Sequence, residues 1–298
     1  MLQATVEPPV ELLPAAPQRS AGYWQTVTRR FLRDRVAVGA ALVILVLLLL
    51  ALLAPWIVPA DPYQSSMLKR LKPIGFEGHP LGTDELGRDM LSRLMVGARL
   101  SLFMGITPVL LAFVFGAVIG ITAGYAGGRV NSVIMRTIDV FYAFPSVLLA
   151  IALSGALGAG MTNSLISLTI VFIPPLARVA ESVTTQIRTR DFVEAARASG
   201  ANAFTIVRVH VLGNVLGPIF VYATSLVAVS MILASGLSFL GLGVKPPEPE
   251  WGLMLNTLRT AIYVQPWIAA LPGAMIFATS IAFNLLADGL RGAMEIKQ

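Results

Sequence analysis

Cysteine is absent from the 298 residues, which excludes disulfides and thiolate metal sites. Histidine occurs only as His79 and His210, too sparse for an imidazole cluster. Charged residues make up 13% of the chain, whereas soluble domains carry about 25%. A globule this poor in charge lacks the polar surface to cover itself, and a bilayer is the simplest solvent for what remains. No Gly-x-x-x-x-Gly-Lys-[Ser/Thr] loop occurs, and no lysine follows a glycine anywhere, so a phosphate-loop nucleotide site is excluded. The Gly-x-Ser-x-Gly nucleophile elbow is missing as well.

What is present is apolar. Hydrophobic residues make up 56% of the chain and the mean hydropathy is +0.76. Asp, Glu, Lys and Arg are absent from five stretches, 36–60, 100–128, 140–177, 209–244 and 260–287. A spanning helix needs roughly 20 apolar residues. The third stretch is too long for one helix and contains a turn-like Gly155-Ala-Leu-Gly-Ala-Gly-Met-Thr-Asn163 cluster. It holds two helices if the first begins near Ser132. Six spans are therefore predicted, at 36–58, 99–124, 132–156, 164–182, 215–238 and 266–288. The fold class is all-α and membrane-embedded. Pro108, Pro145, Pro174, Pro175, Pro218 and Pro272 fall inside these spans, which packed membrane helices tolerate.

The net charge of +6 is unevenly placed. With the N-terminus inside, 14 of the 22 Lys and Arg fall on inside segments, so the positive-inside rule puts both termini in the cytoplasm. The basic excess does not suggest nucleic acid, because no basic face with interleaved aromatics occurs. The Arg-rich stretch before the first span could be mistaken for a signal peptide, but the apolar core that follows exceeds a usual cleavable one. The expected organisation is a cytoplasmic tail over 1–35, with 1–20 a loose terminus, and a first span over 36–58. An extracytoplasmic segment follows over 59–98, then a five-helix core over 99–292.

The inside loop 183–214 is the most informative stretch. Asp191 and Glu194 have capping-box spacing, so a helix is expected to start there. Arg190–Glu194 and Glu194–Arg197 are spaced as helical ion pairs. Gly200 suits a left-handed stop, and a second helical piece is expected from Asn202 to Val211. On pattern alone this could be a plain connector whose Glu194 only caps a helix. The residues Glu194-Ala195-Ala196, Gly200 and Val211-Leu212, however, resemble the EAA…G…I-L-P loop of binding-protein-dependent ABC permeases. Gly213 stands where that family has Pro, which implies a looser turn into the fifth helix.

Other segments carry the same resemblance. His79-Pro-Leu-Gly-Thr83-Asp84-Glu85-Leu-Gly87-Arg88-Asp89 is similar to the entry into the second helix of C-type permeases of the dipeptide, oligopeptide and nickel importers. Physically, Thr83 can cap a helix whose first turn carries Asp84 and Glu85, and Asp89 can pair with Arg93. This segment reads either as an interfacial helix that seats the span or as part of a surface that receives a binding protein. Arg136-Thr-Ile-Asp139 with Ala143-Phe-Pro145, and the 238–252 stretch ending Glu-Trp-Gly, also match the group. The tail departs from it, with Ala287 and Gly292 replacing the usual Gly and Asp. Arg136 and Asp139 are expected to pair with each other at the membrane surface, and so are Asp288 and Arg291.

The resemblance covers roughly 28–292 and implies a type I ABC importer permease fold. It implies that 183–214 docks on a separate ATPase through a coupling helix. It further implies a homologous B-type permease as heterodimer partner, two ATPase subunits and an extracytoplasmic solute-binding protein. Cofactors would be none in this chain, with ATP and Mg on the partner subunits. The solute would be a peptide, or a nickel complex, since few soft ligands are available here. The alternative is a secondary transporter or channel working without ATPases. That reading predicts charged residues mid-span for ion coupling, and inverted repeats; the five runs hold no such charge, and no convincing internal repeat occurs. An intramembrane enzyme would need clustered His, Asp or Glu.

Overall fold

The computed structural model describes residues 23–295. The loose terminus expected over 1–20, and the charges Arg19 and Lys297, lie outside the described residues. Within the stretch read as a tail, Tyr23–Arg33 forms a helix, α1.

Among the described residues, five long helices are apolar enough to cross a membrane. The first, α2 (Arg35–Ile57), begins where Asp34 Oδ1 accepts from Val36 N and Ala37 N at 2.9 and 3.1 Å. Its buried residues, Ala37, Ala40, Ile44, Leu47, Ala51 and Ala54, alternate three and four apart and form one stripe. Leucines and valines cover most of the other faces of the helix and are largely exposed, as a lipid-facing surface requires.

The next, α3, spans Met90–Ala126, a helix of about 55 Å. It starts nine residues before the expected 99, because Asp89 caps it by accepting from Ser92 N at 2.7 Å. The third expected span is not one helix. It consists of α4 (Gly128–Tyr142) and α5 (Ser146–Leu157), bent by 86°. Pro145 has no N–H to continue the ladder and pushes Phe144 out of helical geometry, so the helix stops before the pair. The turn-like cluster after α5 does end it, with Gly158 at φ +90°.

The fourth span is α6 (Met161–Arg188). A short helix, α7 (Asp191–Ala198), and a single turn, α8 (Ala203–Ile206), follow it. A π-helical turn, Val207–Val211, then runs directly into α9 (Leu212–Phe239). The short α10 (Trp251–Thr257) precedes the last span, α11 (Pro266–Met294).

The centre of the bundle is α3 against α6 and α9, with α11 behind α9 and α2 outermost on α11 and α3. The α3–α6 seam is made by small residues four apart. A Cβ on Gly120 would lie 2.2 Å from the Ala177 carbonyl oxygen, so only glycine allows this approach.

Contacts sort the connections into two ends. At the loop end, Arg188 Nη1 donates to Tyr125 O at 3.2 Å and Arg30 Nη1 donates to Glu295 O at 3.1 Å. A Cβ on Gly217, just after the 189–211 loop, would lie 2.5 Å from Met294 Cε, so the loop opens at the same end as the described C-terminus. At the far end, Gly160 N donates to Leu242 O at 3.0 Å and Tyr63 Oη donates to Glu248 Oε2 at 3.0 Å. Trp56 and Trp267 are exposed there, as interfacial aromatics are.

Candidate functional site

The loop end carries the residues singled out from sequence. Arg190 is extended and starts α7 without a side-chain cap. Asp191 is therefore the first helical residue, and the expected Asp191–Glu194 capping box does not form. Both carboxylates still lie in the first turn, where the helix dipole favours them. Neither the Arg190–Glu194 nor the Glu194–Arg197 pair occurs among the described residues. All three side chains are exposed, and water competes well for such charges.

Gly200 has φ +82°, and the helix ends in a Schellman motif: Gly200 N donates to Arg197 O at 3.0 Å and Ala201 N to Ala196 O at 3.1 Å. The second piece opens with Asn202, whose side chain accepts from Thr205 N at 2.8 Å.

Val193 is the one residue of α7 that is fully buried. Ile206 and Val211 are buried in the same core as Val193, and Ala196 packs partly against it. Asp191, Glu194 and Ala195 face outward, and Leu212 is half-buried. The sequence reading missed three exposed apolar side chains, Phe192, Phe204 and Val209, with Phe204 74% exposed. Phe192 lies beside His210, with ring centroids 6.3 Å apart. The signal was available: apolar residues stand among charged ones in a loop too short for a core of its own. At Gly213 no turn intervenes, since the helix is continuous from Ala203 through α9.

At the far end the entry segment is a buried polar scaffold. Thr83 does not cap a helix. It accepts from Lys72 N at 2.9 Å and donates to Lys69 O. Asp84 accepts from Leu86 N and Arg88 N, each at 2.9 Å, and from Arg88 Nε at 2.6 Å. Arg93 pairs with Asp84 at 3.1 Å and not with Asp89 as expected. Asp89 is taken by Ser92 and by His79 Nδ1 at 3.0 Å. His79 lies in a turn, where its N donates to Phe76 O at 2.8 Å, and it is buried. Gly87 has φ +76°, and a Cβ there would lie 1.9 Å from Ser66 O. Thr83, Asp84, Arg88 and Asp89 are all buried, so their polar groups are spent inside the segment.

Nearby, Glu250 caps α10, accepting from Gly252 N and Leu253 N at 2.9 Å each. Burial pushes its carboxyl pKa up. Trp251 Nε1 donates to Leu94 O at 3.0 Å and ties α10 to α3.

On the flank of the bundle, Asp139 pairs with Arg178 of α6, not with Arg136. The charge-free run ends at Ala177, but the helix continues and carries Arg178 against α4. No Asp288–Arg291 pair occurs among the described residues. Three or more His, Asp or Glu side chains nowhere gather to hold a metal among the described residues. His79 and His210 lie at opposite ends.

Residues 116–297 match the family described as binding-protein-dependent transport system inner membrane component. Residues 22–73 match the N-terminal TM domain of oligopeptide transport permease C. The chain is 42% identical over 274 residues to the glutathione transport system permease protein GsiD of Pectobacterium atrosepticum, covering 92% of this chain and 91% of the relative. It is 40% identical over 280 residues to the di/tripeptide transport system permease protein DppC of Pseudomonas aeruginosa, covering 92% and 91%. Among solved structures, a chain from inward-facing conformations of the MetNI methionine ABC transporter matches with a TM-score of 0.56 and 19% identity. That match covers 68% of this chain and 97% of the other, and it supports the type I importer permease fold. Helical architecture, both matched segments and the full-length relatives agree: the chain belongs to the binding-protein-dependent transport system inner-membrane components, as a C-type permease of an ABC importer.

Proposed function

We propose that this permease forms half of a translocation pathway for peptides and is driven through α7. The peptide assignment follows the relatives, which carry glutathione and di/tripeptide transport in their names. The observation that supports the drive is α7 itself. It is an exposed eight-residue helix held to the bundle by Val193 and placed between two spans, α6 and α9.

In this reading both termini and the loop end are cytoplasmic, and residues 59–98 are extracytoplasmic. Asp191, Glu194, Ala195, Ala196 and Gly200, with Val211 and Leu212 beneath them, form the surface pressed by one of two ATPase subunits. Those subunits hold ATP and Mg. Phe192 and Phe204 add an apolar anchor suited to a cleft on that partner. A B-type permease completes the pathway, and a solute-binding protein docks at the far end. Buried Thr83, Asp84, Gly87, Arg88 and Asp89 hold the docking end in shape, while exposed neighbours such as Leu68 meet the receptor. ATP-driven closure displaces α7 and tilts α6 and α9. The two states differ in contact energy at this element, as any ligand-driven population shift requires.

The test uses Glu194→Ala and Gly200→Val in the reconstituted importer, with uptake and ATP hydrolysis measured together. The valine is strained at positive φ. Uptake should fall at least about fivefold, the lower range of an allosteric coupling, with the amount of inserted protein unchanged. Normal uptake by both variants at normal protein level would refute the role.

A further inference from the structure

The break between α4 and α5 opens a cavity of about 260 Å³ against α6, lined in part by Tyr142, Phe144, Ser146, Phe172, Pro174 and Pro175. Arg178 follows Pro174 and Pro175 at helical-neighbour spacing, so it lies on the same face one turn later. Its guanidinium meets Asp139 and lies 5.5 Å from the centre of the Tyr142 ring. The pair thus sits at the edge of a largely apolar, aromatic cavity, beside its Tyr142 wall and outside its lining. Arg178 is ten residues inboard of Arg188, roughly 15 Å along the helix.

Two physical facts bear on this pair. First, ionisable residues within a spanning helix face a cavity or a protein partner and not lipid. Arg178 and Asp139 are nonetheless 47% and 50% exposed, and the described residues do not cover them. Second, an ion pair this exposed contributes little to the fold, so it opens at small cost when better partners arrive. A cavity with aromatic walls and a few convergent polar groups is what small-molecule recognition uses.

We propose that Asp139 and Arg178 form a solute station for zwitterionic peptides. The free carboxylate of the peptide takes the guanidinium fork of Arg178, as bidentate arginine–carboxylate pairing favours. The free ammonium takes Asp139, and an apolar side chain enters the Phe144–Phe172 cavity. The resting ion pair is then a stand-in for the ligand's own two charges, and it closes again when the peptide leaves. This deepens the peptide reading above and rests on it.

The experiment uses the complete importer in proteoliposomes, with radiolabelled Ala-Phe, its C-terminal amide and its N-acetyl form, each at a level that saturates the receptor. Wild type is compared with Arg178→Gln, Arg178→Lys, Asp139→Asn and the swapped Asp139→Arg/Arg178→Asp pair. The receptor is the same throughout, so a change in preference belongs to this chain. Arg178→Gln should lower the free-to-amide uptake ratio about tenfold, the scale of one charge-assisted hydrogen bond, and Arg178→Lys should keep part of it. Asp139→Asn should lower the free-to-acetyl ratio instead. Unchanged ratios overturn the station. So does an equal loss on all three peptides that the swapped pair restores, which marks a structural latch. If the wild type carries none of the three, the peptide reading itself fails, and the station fails with it.

Discussion

Replacing Gly120 by alanine adds one methyl group where the α3–α6 seam has no room. The new Cβ would sit 2.2 Å from Ala177 O, 2.5 Å from Ala180 Cβ and 2.8 Å from Glu181 N. Two of these are backbone atoms that cannot rotate away, so the helices must part by about 1 Å or bend, an overpacking that costs about 1–3 kcal/mol. Alanine also gains about 1 kcal/mol of helix propensity over glycine, which masks part of the loss. Gly39→Ala supplies the reference. Gly39 is in α2, and a Cβ there meets nothing within 4 Å. The propensity gain is shared by the two variants and cancels, so Gly120→Ala should lie below Gly39→Ala by about 1–3 kcal/mol. Reversible unfolding in mixed micelles, followed by tryptophan fluorescence, measures the gap. Equal stability of the two variants, or greater stability of Gly120→Ala, would show that the seam yields and that small residues there are not required by contact.

Three other outcomes follow from the far end and from the missing thiols. Asp84→Ala leaves Arg88 and Arg93 buried without their shared carboxylate, and should cost about 3–5 kcal/mol in the same unfolding assay. Burial holds the Glu250 pKa above the ordinary 4.5, so the folded chain binds that proton more tightly than the unfolded chain does. Stability should therefore fall as pH rises from 4.5 through the raised folded value, and Glu250→Gln should flatten that decline. Single cysteines at Leu68 and Phe204, exposed at opposite ends, should react with an impermeant thiol reagent from opposite sides, position 204 only from the cytoplasm. Labelling of both from one side would overturn the orientation.

Runs without charge were enough to locate α2, α9 and α11, because a helix must satisfy its backbone internally in lipid. Gly200 was legible because a left-handed stop is decided locally. The entry segment was harder. Thr83 and Asp89 both have the chemistry of a cap, and only the fold, by committing Thr83 to Lys69 and Lys72, decides between them. Pro145 looked like any other membrane proline, yet its neighbours leave α4 and α5 free to separate by 86°. The Asp139–Arg178 pair joins residues 39 apart, and Arg136 lies closer in sequence. Spacing along one helix cannot foresee a partner on another. Phe192 and Phe204 lie on separate short helices, so together they make no periodic apolar pattern.

The two arms of the 189–211 loop are not mechanically alike. On one side, α7 follows α6 after only Thr189 and Arg190, with Val193 wedged into the bundle. On the other, a glycine at φ +82° and a π-helical turn separate it from α9. If α7 is displaced as proposed, the movement reaches α6 across a two-residue turn and α9 across a left-handed glycine and a π-turn, so the two spans need not respond alike.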